Sequence, residues 1–222
     1  MKMKMSRTNR ADAGFSLVEL LIVIAISMIM AAVAITQIGP ALRTARVDTA
    51  ASYVLNEMRH TRERAVDERR QYQITFVTNS ASPFATINVF QGNINALAVP
   101  PVLVFTLNYD GINNSITLPY DLQFLAPNPA PPVAPDAQFC GQGSAIDFTV
   151  TNAPCGSSTT LTFNPDGSIT DLAGNPANGV IYMGRTADPF ATRAVSFFGA
   201  TGRTKLWRMV NNGAGTWAWS VQ

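Results

Sequence analysis

Between Gly14 and Leu42 the sequence reads GFSLVELLIVIAISMIMAAVAITQIGPAL. No charged residue occurs from Leu20 to Leu42, and as a helix these residues would be roughly 35 Å long. That length is enough to cross the hydrocarbon core of a bilayer, which is about 30 Å thick. Four basic residues precede the run, at positions 2, 4, 7 and 10. Because positive charge stays on the cytoplasmic side, the pattern predicts a cytoplasmic N-terminus and an exported remainder.

The start of this run resembles the prepilin motif of type IV pilins and type II secretion pseudopilins. The resemblance rests on Gly14-Phe15-Ser16-Leu17-Val18-Glu19 and on the apolar residues that follow. In that family a prepilin peptidase cuts after the glycine and methylates the new N-terminal amine. The resemblance therefore implies a leader peptide of residues 1–14 and a mature chain that begins at Phe15.

Glu19 is a carboxylate in a membrane segment, where insertion of a charge costs roughly 2.5–3.5 kcal/mol. The N-terminal amine of Phe15 on a neighbouring subunit is a suitable partner, and pairing would offset the desolvation of both groups. The resemblance implies this role in assembly. The alternative is a glutamate at headgroup level that only ends the apolar run.

A second alternative is an ordinary signal peptide, cleaved after Ala32-Val33-Ala34 to begin a secreted β-rich protein at Ile35. The apolar run is longer than the 7–15 residues of a usual signal-peptide core. A carboxylate at its leading edge also brings no benefit to a signal peptide.

Residues 43–70 have apolar side chains at steps of three and four, which predicts an amphipathic helical stem. The polar face carries Arg46, Arg59, Arg62, Glu63 and Arg69, and we expect solvation and salt bridging there. Gly39-Pro40 precedes the stem, and proline removes a helical hydrogen bond. A kink or local melting is therefore predicted at that point.

After the stem the pattern changes to short β-like runs. These are Gln73–Val77, Ala85–Phe90, Val102–Leu107, Ala145–Val150, Thr160–Phe163, Ser168–Thr170, Val180–Met183, Ala194–Phe198, Lys205–Val210 and Thr216–Val221. Asn164-Pro165-Asp166-Gly167 predicts a hairpin turn. The five prolines between Ala126 and Asp136 exclude a central strand and predict an exposed loop.

The fold class expected is α+β, with a long N-terminal helix packed on a β-sheet-rich domain. The domains are a leader (1–14), a transmembrane polymerisation helix (15–42), the stem (43–70) and a globular domain (71–222). Thr160–Gly167 and the strand-rich end are similar to the FimT- and GspH-type minor subunits of this family. That finer resemblance implies a helix packed against two β-sheets.

Charge is unevenly distributed in the globular domain. Residues 71–188 have a net charge of −6, whereas residues 189–222 have four basic side chains and no acid. In an extended Arg203–Arg208 segment, Arg203, Lys205 and Trp207 share one face and Arg208 lies on the other. Cations can neutralise phosphates and an indole can stack on a base.

Gly202, Arg203 and Lys205 also match a Gly-Arg-x-basic motif that FimT-like subunits use to capture DNA. The resemblance implies a double-stranded DNA site at Arg203 and Lys205, and the pattern of charge and aromatic residues adds Trp207 and Arg208 to it. The alternative is a hairpin end with solvated charges and a core tryptophan.

Two cysteines, Cys140 and Cys155, lie in the part expected to be exported, where disulfides persist. A disulfide between them is predicted, and two reduced, buried cysteines are the alternative.

Enzymatic chemistry is not indicated. The single histidine, His60, lies in the stem, and no pattern of catalytic, metal-binding or cofactor-binding residues accompanies it. The chain is therefore interpreted as a structural minor pilin or pseudopilin. Its expected partners are other pilin-like subunits, prepilin peptidase and the bacterial inner membrane, with a single membrane pass and a periplasmic C-terminal domain.

Replacing Gly14 by valine should block cleavage, because the peptidase recognises glycine at that position. The expected product is a membrane-bound chain that keeps its leader, seen as a slower band on a gel. A mature N-terminus at Phe15 in the variant would contradict prepilin-type processing.

Overall fold

The computed structural model describes residues 16–77, 86–95, 102–106, 108–109, 112–113, 115–118, 122–136, 142–149, 159–213 and 215–222. Gly14, Phe15, Cys140 and Cys155 lie outside these residues. Cleavage after Gly14 and the disulfide between the two cysteines therefore stay predictions.

Helix α1 extends from Leu17 to Asp67. It includes Gly39 and Pro40 without interruption, so the local melting predicted there is not observed. Two residues after the helix end, Arg69 has a φ of +52°, and the Arg70 N–H donates to the Ala65 carbonyl at 3.2 Å. A hydrogen bond of this span around a left-handed residue is typical of a Schellman C-cap. The stem is therefore three residues shorter than predicted.

The chain divides into two compact units, residues 1–42 and residues 43–222. In the first unit the apolar side chains from Leu17 to Ile35 are exposed where they are described. In the second, every described buried apolar side chain lies between Val47 and Met209. The second unit therefore contains a complete core of its own, and we expect it to fold without the first.

The first β-sheet has the strand order β10-β9-β1-β2-β3, with β6 also paired to β2. Its strands are β1 (Tyr72–Val77), β2 (Thr86–Asn95), β3 (Val102–Thr106), β6 (Ser115–Thr117), β9 (Thr160–Phe163) and β10 (Ile169–Thr170). A separate two-stranded ribbon joins β4 (Asn108–Tyr109) to β5 (Ile112–Asn113). The pairings within this sheet and this ribbon are antiparallel.

The second β-sheet has the order β14-β13-β12-β11-β7, with β8 also paired to β11. Its strands are β7 (Gln123–Phe124), β8 (Ile146–Thr149), β11 (Asn178–Arg185), β12 (Asp188–Phe198), β13 (Arg203–Asn211) and β14 (Trp217–Val221). Each of the ten predicted runs overlaps an observed strand. The short strands β4 to β7 were not predicted.

The helical stem and both sheets share one hydrophobic core, which confirms the α+β class and the helix packed on two sheets. Buried side chains alternate along β1, as a strand with one face toward a core requires. Phe76 of the first sheet meets Phe124 of the second edge-on, with ring centroids 5.4 Å apart. The stem contributes small and flexible side chains to this core: Ala51, Val54, Leu55, Met58 and Ala65.

The turn between β9 and β10 has the predicted chemistry. The Gly167 N–H donates to the Asn164 carbonyl at 2.9 Å, and Gly167 has a φ of +82°, a conformation that glycine adopts without strain. The Ser168 hydroxyl and N–H donate to the Asp166 carboxylate at 2.6 and 2.9 Å. These hydrogen bonds hold the pKa of the Asp166 carboxyl below its usual range.

Arg62 of the stem is packed between two turns. Its Nε donates to the Gly167 carbonyl at 2.9 Å, and a Cβ added at Gly202, in the turn between β12 and β13, would overlap Arg62 Nε. The two turns belong to different sheets, so one helical side chain contacts both. Arg62 was expected to be solvated, and the structure shows it half-buried instead.

The proline-rich segment from Ala126 to Asp136 has no regular strand, as predicted. It is not simply an exposed loop, however, because Pro127, Pro131 and Pro135 are buried. Gln142 Nε2 donates to the Pro131 carbonyl at 2.6 Å, and the Trp219 indole donates to Gln142 Oε1 at 3.2 Å. The segment is thus connected to the second sheet.

We expect Gly202→Ala to lower the free energy of unfolding by roughly 2–5 kcal/mol, because left-handed backbone strain and overpacking add together. Gly213→Ala is the matched control. Its φ is +89°, but no atom lies within 4 Å of the added Cβ, so strain alone should cost roughly 1 kcal/mol. Denaturant unfolding of residues 43–222, followed by circular dichroism, measures both. Equal losses in the two variants would contradict the close contact with Arg62.

Candidate functional site

Two regions of the chain have features that packing alone does not explain: the apolar N-terminal helix and the end of the second sheet near the β12–β13 turn. Within the helix, Leu17–Ile35 is 19 residues long, which is long enough to span a membrane, and none of it is buried. Glu19 lies in the first helical turn, where a carboxylate interacts favourably with the helix dipole. The structure thus presents Glu19 and the apolar side chains together on an uncovered helix.

The register of β12 and β13 decides which way the basic side chains point. Trp207 pairs with Ala194, which packs with Val180 and Tyr182 on the face away from the core. Arg208 pairs with Arg193, whose side chain reaches the stem. We call these the outer and inner faces of the second sheet. The prediction that Arg203, Lys205 and Trp207 share one face, opposite Arg208, is confirmed by this register.

Where β13 begins, the stem and this strand form a cleft of about 450 Å³. Arg59 and Arg62 line it from the helix, and Arg203 and Lys205 line it from β13, with one carboxylate, Glu63. Arg59 Nε donates to the Thr204 hydroxyl at 3.2 Å, just as Arg62 Nε donates to a carbonyl. Because these acceptors are neutral, the two hydrogen bonds orient the guanidinium groups without neutralising them.

On the outer face, Lys205 lies over the ring of Trp207, with Nζ 5.5 Å from the ring centroid. This distance permits a cation–π interaction. The Trp207 indole N–H donates to the Ser196 hydroxyl at 2.7 Å, which fixes the ring against the sheet. Trp207 is therefore a half-buried packing residue rather than a ring projecting into solvent.

Arg193 was counted among the basic residues of the C-terminal end, but its side chain is fully buried. Its Nε donates to Asp48 Oδ1 of the stem at 2.6 Å, and its Nη1 donates to the carbonyls of Phe190 and Thr192. Arg193 therefore stabilises the contact between helix and sheet. The surface cations of this end are Arg203, Lys205 and Arg208.

Sequence reasoning did not find the convergence of Arg59 and Arg62 on β13, nor the approach of Asp136 to Lys205 at 3.7 Å. The residues of each pair are far apart in the chain, so no spacing pattern connects them. The one available signal was the three-residue step between Arg59 and Arg62, which places them on one helix face.

Among the residues that the structure describes, no group of three or more His, Cys, Asp or Glu side chains is arranged to hold a metal ion. His60 is exposed on the stem.

Comparison with known proteins adds a match in sequence and matches in structure. The family model for the prokaryotic N-terminal methylation motif matches residues 9–35. A search of curated proteins gives no match. Two structures of the minor pseudopilin EpsH from the type II secretion system of Vibrio cholerae are similar to this chain. Each has a TM-score of 0.43 and covers 94% of the EpsH chain; the identities are 12% and 11%, over 73% and 72% of this chain.

The match over residues 9–35 includes Gly14, Phe15 and Glu19, the residues on which the predicted resemblance rests. The chain therefore carries an N-terminal methylation motif at the start of an apolar helix, in front of an antiparallel β-rich domain. The motif match confirms the predicted resemblance over residues 9–35.

Proposed function

We propose that this chain is a structural subunit that polymerises through its N-terminal helix into a type IV pilus or a type II secretion pseudopilus, or initiates one. The observation that carries the proposal is the exposed apolar helix, Leu17–Ile35, beginning in a methylation motif and joined to a domain with its own core. A helix that is apolar all round is stable only in lipid or against other apolar helices.

A filament supplies the second of these environments. Lipid surrounds the helix before assembly, and the helices of neighbouring subunits surround it afterwards. Cleavage by prepilin peptidase after Gly14 exposes the amine of Phe15, and that amine pairs with Glu19 of an adjacent subunit. Because an unpaired charge is costly in an apolar bundle, this pairing fixes the axial offset between subunits.

The proposed cellular location follows from the same N-terminal segment. The basic leader keeps the N-terminus in the cytoplasm, so the subunit crosses the bacterial inner membrane once and its β-rich domain lies in the periplasm. The motif is common to pilus and secretion filaments, and the proposal includes both.

Glu19→Ala should insert in the membrane normally but enter filaments poorly. Loss of one partner of a buried pair costs about 3 kcal/mol, which corresponds to a decrease of more than a hundredfold in incorporation. The measurement is the ratio of sheared filament to membrane-bound subunit on an immunoblot. Glu63→Ala removes an exposed carboxylate of the stem and is the matched control. Normal incorporation of Glu19→Ala would show that Glu19 only ends the apolar run.

We also propose a second candidate function, binding of double-stranded DNA at the β12–β13 end of the domain. The observation that favours it is the cleft in which cations from the stem and from β13 come together against one carboxylate. Arg59 and Arg62 add to the set predicted from sequence, whereas Arg208 on the inner face is a separate contact. Trp207 lies beside Lys205 and stays part of the predicted set.

The double variant Arg203→Ala/Lys205→Ala should weaken DNA binding by the fragment of residues 43–222. It should also make the slope of log binding constant against log salt concentration less steep by about two. The reason is that each lost phosphate contact changes the slope by about 0.9. Fluorescence anisotropy with a labelled duplex at several salt concentrations measures this. Arg43→Ala/Arg185→Ala is the charge-matched control, because neither residue lines the cleft, and it should change the slope less. No binding by the unmutated domain at low salt would leave only the structural role.

A further inference from the structure

Lys205 faces a carboxylate that the proline-rich segment carries to the outer face of the second sheet. Lys205 Nζ lies 3.7 Å from Asp136 Oδ2. Asp136, Arg203 and Lys205 line one cleft of about 510 Å³, together with Phe198 and Ser196. This cleft lies on the outer side of β13 and shares Arg203 and Lys205 with the cleft that Arg59 and Arg62 line.

In this outer cleft Asp136 lies beside Lys205, in a place that an external oxyanion would take. We propose, resting on the second candidate function, that the cleft is a binding site for a phosphate-type oxyanion and that Asp136 closes it from within the same chain. The ligand is a phosphate group, either as free inorganic phosphate or as part of a phosphodiester.

The segment that carries Asp136 is held in place independently of Lys205. Pro127, Pro131 and Pro135 are buried, and Gln142 connects Pro131 to Trp219 through two hydrogen bonds. Prolines restrict the backbone in any state of the chain, so Asp136 loses little conformational entropy when it approaches Lys205. The carboxylate is therefore present at the cleft at a high effective concentration.

The Asp136–Lys205 pair is nonetheless weak. Its separation of 3.7 Å exceeds the 2.7–2.9 Å of a strong charge-assisted hydrogen bond. The side chains are 26% and 36% exposed, and water screens pairs of this kind. A phosphate has more charge than a carboxylate, and it can accept two hydrogen bonds from the planar guanidinium of Arg203 as well as one from Lys205. Phosphate should therefore displace Asp136.

The test uses the full chain in a nonionic detergent, so that no lipid phosphate competes. Asp136→Asn keeps the shape of the side chain and removes its charge. Asp188→Asn is the matched control. Asp188 is the first residue of β12, and Phe198, which lines the cleft, is the last, so the two are roughly 30 Å apart along an extended strand. The probes are inorganic phosphate, followed through the amide resonances of Arg203 and Lys205, and a short DNA duplex, followed by anisotropy.

Asp136→Asn should strengthen phosphate binding about two- to fivefold, the range expected for removal of a competing surface ion pair. Asp188→Asn should leave it nearly unchanged, and the gain should disappear when Lys205→Ala is added to Asp136→Asn. Equal effects of the two Asp→Asn changes, a gain that persists without Lys205, or no phosphate binding by any variant would overturn the proposal. A gain for phosphate without DNA binding supports the oxyanion site and rejects DNA as its ligand; a gain for both assigns the site to phosphodiesters as well.

Discussion

The contact of Arg62 with the two glycine turns sets the geometry of the globular domain. The Arg62 Nε donates a hydrogen bond to the Gly167 carbonyl at 2.9 Å. At Gly202 there is no room for a side chain beside Arg62. Since Gly167 follows β9 and Gly202 precedes β13, the stem holds one turn from each sheet. The position of Arg203 and Lys205 near the helix depends on this contact, and so does the cleft that they share with Arg59.

The parts of the fold that could be predicted from sequence are those that local interactions determine. The apolar run after Gly14 is continuous, so its helix and its membrane character need no tertiary information. The turn at Asn164–Gly167 is built from hydrogen bonds within five residues, and its residue types specify it. The ten predicted strand runs also alternate or cluster strongly enough to be recognised locally.

The features of the fold and of the site that could not be predicted from sequence depend on contacts between residues that are distant in the chain. Strands β4 to β7 have two or three residues each, too few for a periodicity to emerge. Arg59 and Thr204 are 145 positions apart, as are Asp48 and Arg193. Arg193 contributes to the positive charge of the C-terminal segment, yet tertiary packing buries it. The proline-rich segment was expected to be exposed because proline excludes a strand, but proline does not exclude burial beside one.

All three tryptophans of the chain are in β13 and β14. Trp207, Trp217 and Trp219 fall on odd positions of paired strands and so on the outer face of the second sheet. Trp219 lies against Tyr182 and Trp217 against Phe190, with ring centroids 5.7 and 4.9 Å apart. The indole emission of this protein consequently originates from one surface. Its intensity and wavelength should follow what covers that surface, and should be insensitive to events confined to the membrane helix or to the first sheet.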